Sequence, residues 1–212
     1  MKKKGIALVE RQYLFPFVLI TSLFFLWGFA HAILDVLNKH FQELLTITRT
    51  HSAMIQATMY MGYFIMAIPA GLFINRHGYR RGVVLGLLLY GTGSLLFIPG
   101  QYIASFNMFL FSLFVIGCGL TFLETAANPY VTELGARETA ASRLNFAQSF
   151  NGLGCIFAPI LTGLLLFSDD DKGAGGNVAL PYAVMGVVVL LAALAFVRVP
   201  LPEIPHEEEV DS

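Results

Sequence analysis

Asn107-Met108-Phe109-Leu110-Phe111-Ser112-Leu113-Phe114-Val115-Ile116-Gly117-Cys118-Gly119-Leu120-Thr121-Phe122-Leu123-Glu124-Thr125-Ala126-Ala127-Asn128-Pro129-Tyr130-Val131 decides the fold. It runs 25 residues with a single charged side chain, Glu124. A bilayer core is about 30 Å thick and takes roughly 20 largely apolar residues as a helix. The stretch therefore predicts a transmembrane helix. Five more stretches fit the same description: 13–37, 52–74, 82–99, 144–167 and 180–197. Barrel strands would be about half as long and would alternate.

The chain outside these spans is short and polar. Asp169-Asp170-Asp171-Lys172-Gly173 predicts an exposed turn. Residues 1–199 form the expected six-helix domain, and the acidic, proline-containing residues 200–212 an expected cytoplasmic tail or linker. Of 212 residues, 13% are charged, about half the usual share for a soluble domain. The net charge of −1 offers no basic field for nucleic acid. Cys118 and Cys155 lie inside apolar stretches, without metal-ligand spacing, and read as packing residues. No nucleophile–base pair marks an enzyme. The apolar segment after Tyr13 is too long for a signal peptide.

Lysine and arginine set the expected orientation. With the N-terminus inside, Lys2, Lys3, Lys4, Arg11, Arg76, Arg80, Arg81, Arg137, Arg143 and Arg198 fall on the cytoplasmic side. Lys39, Arg49 and Lys172 fall outside. Both termini are expected in the cytoplasm, and the chain in the plasma (inner) membrane, with lipid as its surround.

The six spans divide as three plus three. Gln56, Gly62, Gly71 and Leu72 in the second share their spacing with Gln148, Gly154, Gly163 and Leu164 in the fifth. The first and fourth each carry an acid, Asp35 and Glu124. Units of three helices alternate in direction, so the expectation is an inverted-topology repeat, as in many secondary transporters.

Polar groups in hydrocarbon cost free energy and mark function by default. On the first span Trp27, His31, Asp35, Asn38 and Lys39 form one stripe. Asp35 either faces a watery cavity or pairs with Lys39 or His31 at the outer interface. Glu124 shares a face with Thr121 and Asn128, with no lysine or arginine within two turns. A carboxyl there can carry a proton across; alternatively it is permanently hydrogen-bonded to its neighbours. Asn145, Gln148, Asn151 and Gly152 offer amides and room for a sugar, or serve as interhelical glue. Gln56, Tyr60 and Tyr63 on the second span are further candidates, less marked than the amides of the fifth. Trp27 and Tyr60 could stack on a sugar's apolar face or simply pack. Pro69, Pro129 and Pro159 allow kinks.

Gly71-Leu72-Phe73-Ile74-Asn75-Arg76-His77-Gly78-Tyr79-Arg80-Arg81 resembles the cytoplasmic loop motif of the major facilitator superfamily, with Asn75 in place of the usual acid. Gly71, Arg76, Gly78, Arg80 and Arg81 are then its gating-loop residues, and the missing acid implies a weaker latch. A narrower resemblance is to the fucose–galactose–glucose:proton symporter family. Phe25-Leu26-Trp27-Gly28 with Asp35, Tyr63-Phe64 and Pro69-Ala70-Gly71 carry it, with the blocks 123–131 and 143–151. This resemblance covers about residues 22 to 167 and implies half of a major facilitator fold. It assigns proton coupling and sugar binding to Asp35 and Glu124, and the sugar cavity to Gln148 and Asn151. It implies no cofactor or metal, only a co-transported proton, with sodium as the alternative ion. A second six-helix half or a homodimer would complete the site. The competing expectation is a non-transporting fragment or sugar sensor.

Overall fold

The computed structural model describes residues 7–44, 49–103, 105–166 and 179–198. Their regular structure is helical: α1 (Leu14–Leu44), α2 (Arg49–His77), α3 (Tyr79–Leu95), α4 (Phe97–Ile103), α5 (Phe106–Glu133), α6 (Ala140–Leu166) and α7 (Ala179–Arg198). Helices α3 and α4 together make one span, Tyr79–Ile103, interrupted only at Leu96. The six expected spans are thus six helical rods. Among the described residues, five are apolar and long enough to cross a bilayer; α6 runs 27 residues and carries Asn145, Gln148, Ser149 and Asn151 in its first half. The acidic turn at 169–173 and the 200–212 tail lie outside the described residues.

Local chemistry sets the boundaries. Gly78 separates α2 from α3 at φ 85°, a left-handed conformation that glycine adopts without strain. The Ser105 hydroxyl caps α5 by accepting from the Met108 amide at 3.4 Å. Pro69, Pro129 and Pro159 each sit inside a helix that continues past them.

The helices pack in a two-fold pattern. α1 lies along α6, and α2 lies along α5, so the first helix of each triplet meets the second helix of the other. α3 packs on α5 and α7. Close crossings are made by glycines at corresponding places. A methyl on Gly62 would stand 2.6 Å from the Phe114 carbonyl oxygen and 3.0 Å from the Cys118 amide nitrogen. A methyl on Gly154 would strike the Phe25 carbonyl oxygen and stand 2.8 Å from the Phe29 amide nitrogen. Reciprocally, Gly117 abuts the Met59 carbonyl and Gly28 the Asn151 carbonyl.

These contacts fix the repeat's register. Between α1 and α5 it is 89 residues, for Phe25 and Phe114, Gly28 and Gly117, and Phe29 and Cys118. Between α2 and α6 it is 92, for Met59 and Asn151 and for Gly62 and Gly154. The inverted repeat expected from a short glutamine–glycine pattern is a packing relationship.

The core includes Ile20, Phe24, Ile33, Leu87, Tyr90 and Tyr130. Tyr90 donates from α3 to the Leu26 carbonyl of α1 at 3.2 Å, with the Met185 sulfur of α7 2.9 Å away. Tyr182 on α7 stacks on Phe97 at 3.6 Å and 15°.

Candidate functional site

One polar and aromatic cluster lies between α1 and α2. Positions 27, 31 and 35 recur every four residues and so share a face of α1. Trp27 donates its indole N–H to the Tyr63 hydroxyl oxygen at 2.9 Å. The His31 ring lies 6.0 Å from Trp27, 5.8 Å from Tyr63 and 6.4 Å from Tyr60. Its Nδ1 is 3.1 Å from the Trp27 carbonyl oxygen, which fixes the ring within its own helix. One turn further, Gln56 Nε2 donates to Asp35 Oδ1 at 3.0 Å. The Asp35 side chain is exposed.

Glu124 approaches from α5. It is half-buried and within electrostatic reach of Tyr63. Its neighbours Thr121 and Thr125 spend their hydroxyl protons on their own helix, donating to the Gly117 carbonyl at 2.8 Å and the Thr121 carbonyl at 2.7 Å. Among the described residues Glu124 has no hydrogen bond or ion pair. Asn128 Oδ1, one turn on, is buried without a hydrogen-bond partner. Asp35 and Glu124 stand 89 residues apart, the register of Gly28 and Gly117, so the two acids occupy equivalent places in the repeat. Gln56 and Gln148 are likewise related by 92, the register of Gly62 and Gly154.

The structure thus brings Trp27, Asp35, Gln56, Tyr60 and Glu124 to one region. The α6 amides form a separate group. Gln148 and Asn151 are half-buried and Asn145 is exposed, and Gly152 faces open space. No hydrogen bond among the described residues joins these amides, or Asn128, to the α1–α2 cluster. The Lys39 side chain lies outside the described residues.

At the arginine-rich end, Arg80 donates through Nε to the Phe196 carbonyl at 3.2 Å and through a terminal nitrogen to the Val197 carbonyl. It caps the last turn of α7, where helix carbonyls lack internal partners. Arg76 and Arg81 are exposed, and Gly71 has nothing within 4 Å of where a methyl would lie. Of the gating-loop set, Arg80 is the one that ties two spans together.

Arg143, expected on the cytoplasmic side, is fully buried. Its guanidinium donates to the carbonyls of Val131 (3.1 Å), Ala136 (3.0 Å), Leu8 (3.3 Å) and Thr132, and to the Thr139 hydroxyl (2.6 Å). A planar fork of five donors matches the orphan carbonyls where α5 ends. Cys155, expected as a packed residue, is exposed, although its sulfur lies 3.4 Å from the Gly28 carbonyl. Tyr63, a secondary candidate in the sequence, is the hydrogen-bond partner of Trp27. Its signal was its place one helical turn beyond Tyr60, opposite Trp27.

A bundle of long apolar helices built on an inverted repeat, with two acids at its equivalent positions, is the architecture of a polytopic membrane protein. Residues 17–212 match the Major Facilitator Superfamily, and the chain belongs to that family. The L-fucose-proton symporter of Haemophilus influenzae is 46% identical over 172 residues, 80% of this chain and 40% of that protein. The glucose/galactose transporter of Brucella abortus is 37% identical over 203 residues, 94% of this chain and 49% of that protein. A crystal structure of a major facilitator transporter in the outward conformation, the fucose:proton symporter of Escherichia coli, superposes with a TM-score of 0.78 at 37% identity. That superposition covers 95% of this chain and 53% of the other. The chain spans about half the length of the curated relatives it matches.

Proposed function

We propose that this chain forms half of a proton-coupled symporter for a hexose or deoxyhexose. The observation that carries the reading is the placement of Asp35 and Glu124 at equivalent positions of an inverted repeat, with Trp27, His31, Tyr60 and Tyr63 beside them. The names of the relatives, two sugar–proton symporters and a sugar transporter, give the substrate class.

In this reading Glu124 carries the proton. No cation or hydroxyl of its own helix stabilises the carboxylate, so crossing a dry, closed state favours the neutral form. Asp35 couples proton to sugar at the far end of the cluster. Gln148, Asn151 and Asn145 present amides that donate to and accept from sugar hydroxyls. Asn128, with its unpartnered buried oxygen, is a further acceptor. Trp27 and Tyr60 supply the apolar wall.

The arginine-rich end is cytoplasmic, with both chain termini there, in a plasma membrane. A second six-helix bundle, from another half or a second copy of this chain, completes the cavity. Exposed stripes on α2 (Phe64, Ile68, Leu72) and at the equivalent places on α6 (Ile156, Ile160, Leu164) leave faces for that bundle or for lipid.

The test is uptake of fucose, galactose and glucose into vesicles under an imposed pH gradient, with Glu124→Gln as control. Concentrative uptake that the substitution abolishes supports the reading. Uptake that follows sodium at fixed pH replaces the proton with sodium. Binding without flux leaves a sensor or an incomplete half.

A further inference from the structure

Three registers coincide: Gly28 with Gly117, Asp35 with Glu124, and Gln56 with Gln148 all obey the relation that superposes the two triplets. Each acid therefore has its own amide, on the second helix of its own triplet. The two pairs are in different states. Gln56 donates to Asp35 at 3.0 Å, whereas Gln148 and Glu124 share no hydrogen bond among the described residues. The glycine crossings use equivalent residues on both sides, while the two acid–amide pairs differ.

In transporters built on inverted repeats, alternating access rocks or gates one repeat or bundle against the other. We propose that Gln56–Asp35 and Gln148–Glu124 are two such latches that close in alternation. Gln56 is then a positioning residue for Asp35, holding its carboxylate in this state and releasing it in the other. Gln148 does the same for Glu124 in the state not seen here. Each acid is free of its amide in one facing state only. An amide acting on a proton-coupling acid is a different role from a direct sugar contact. The inference rests on the transporter reading for the existence of two facing states, and on neither the sugar nor the ion.

The surrounding side chains make the exchange asymmetric in consequence. Beside Asp35 stand His31 and Tyr60; at the equivalent places beside Glu124 stand Leu120 and Gly152. The Asp35 latch opens toward ring edges and a hydrogen-bonding histidine, the Glu124 latch toward the open space at Gly152.

The experiment is paired-cysteine crosslinking in the full chain, reconstituted in lipid vesicles after Cys118→Ala and Cys155→Ser. One form carries Asp35→Cys with Gln56→Cys, the other Glu124→Cys with Gln148→Cys, each treated with a short bifunctional thiol reagent. Both pairs should crosslink. Adding Gln56→Ala to the second form should raise its crosslinking rate about tenfold, because a lost hydrogen bond to a charged group shifts the balance by about that factor. Gln148→Ala should do the same for the first form. Gln56→Leu, similar in volume and without a donor, must reproduce Gln56→Ala. A second pair that never crosslinks, or a rate indifferent to both Gln56 variants, overturns the proposal. Sugar uptake is read on the parent carrying only Cys118→Ala and Cys155→Ser, because each crosslinking form lacks a coupling acid: exchange in the forms with no uptake by that parent refutes the transport reading alone, and uptake without exchange refutes the latches alone.

Discussion

The indole N–H of Trp27 donates to the Tyr63 hydroxyl oxygen across 2.9 Å, joining the face of α1 that bears Asp35 to the face of α2 that looks toward Glu124. Both side chains are half-buried. A donor left without an acceptor in such a place costs about 1–3 kcal/mol. Tyr63→Phe removes the acceptor and keeps the ring, so it should lower stability by that amount. Trp27→Phe removes the donor. The double substitution should cost less than the two added together, because the same bond is lost only once. Thermal unfolding of the four detergent-solubilised proteins measures this. Strict additivity would show that the bond contributes nothing.

Arg143 should be the least replaceable cation in the described chain. Its fork satisfies the carbonyls of Val131, Thr132 and Ala136 at the end of α5 and reaches Leu8 ahead of α1. Arg143→Leu orphans several acceptors at once and should cost more than about 3 kcal/mol. Arg143→Lys keeps the charge but lacks the fork, and should recover less than half of that. Limited proteolysis should cut near Leu8 in the leucine variant and spare the parent. Equal resistance in both would mean that Arg143 does not hold the N-terminal segment.

Arg80 and Arg81 are adjacent but do different things. Arg80 caps the Phe196 and Val197 carbonyls, whereas Arg81 is exposed. Arg80→Ala should destabilise by about 1 kcal/mol and speed amide exchange in the last turn of α7. Arg81→Ala should fall within about 0.5 kcal/mol of the parent. Hydrogen exchange read by mass spectrometry separates the two. Faster exchange in both would assign the effect to loop charge rather than to the cap.

Much of this was legible in the sequence, because the bilayer imposes one rule on backbone hydrogen bonding and hence one element type. Span lengths, loop positions and the pairing of Asp35 with Glu124 follow from that rule and from a short repeated pattern. What was not legible depends on contacts between helices distant in sequence. An arginine one residue before an apolar span reads as a surface charge, yet Arg143 finds carbonyls from two other segments and is buried. Gln56 reads as a candidate ligand, and nothing in its own helix shows that its amide also meets an acid 21 positions earlier. A tyrosine in a span usually packs, and nothing local distinguishes Tyr63 from Tyr60 until Trp27 is placed opposite.

The repeat pattern itself contains a sharper test, since its glycines are alike in sequence and unlike in space. Gly62 and Gly154 lie against the backbones of α5 and α1, at positions where a methyl would meet carbonyl oxygens. Gly71 and Gly163, nine positions further along the same helices, have nothing within 4 Å. Backbone cannot swing aside as a side chain can, so Gly62→Ala and Gly154→Ala must push whole helices apart. Overpacking of this kind costs about 1–3 kcal/mol. Gly71→Ala and Gly163→Ala remove a flexible residue from a helix interior and should stabilise by about 0.4–1 kcal/mol. The first two should also resemble each other in magnitude, because the repeat gives them the same task on opposite sides of the bundle. Unfolding midpoints of the four single variants decide it. A cost at Gly62 without one at Gly154 would mean that the two crossings, equivalent in register, are unequal in tightness, and that α1 can yield to α6 where α5 cannot yield to α2.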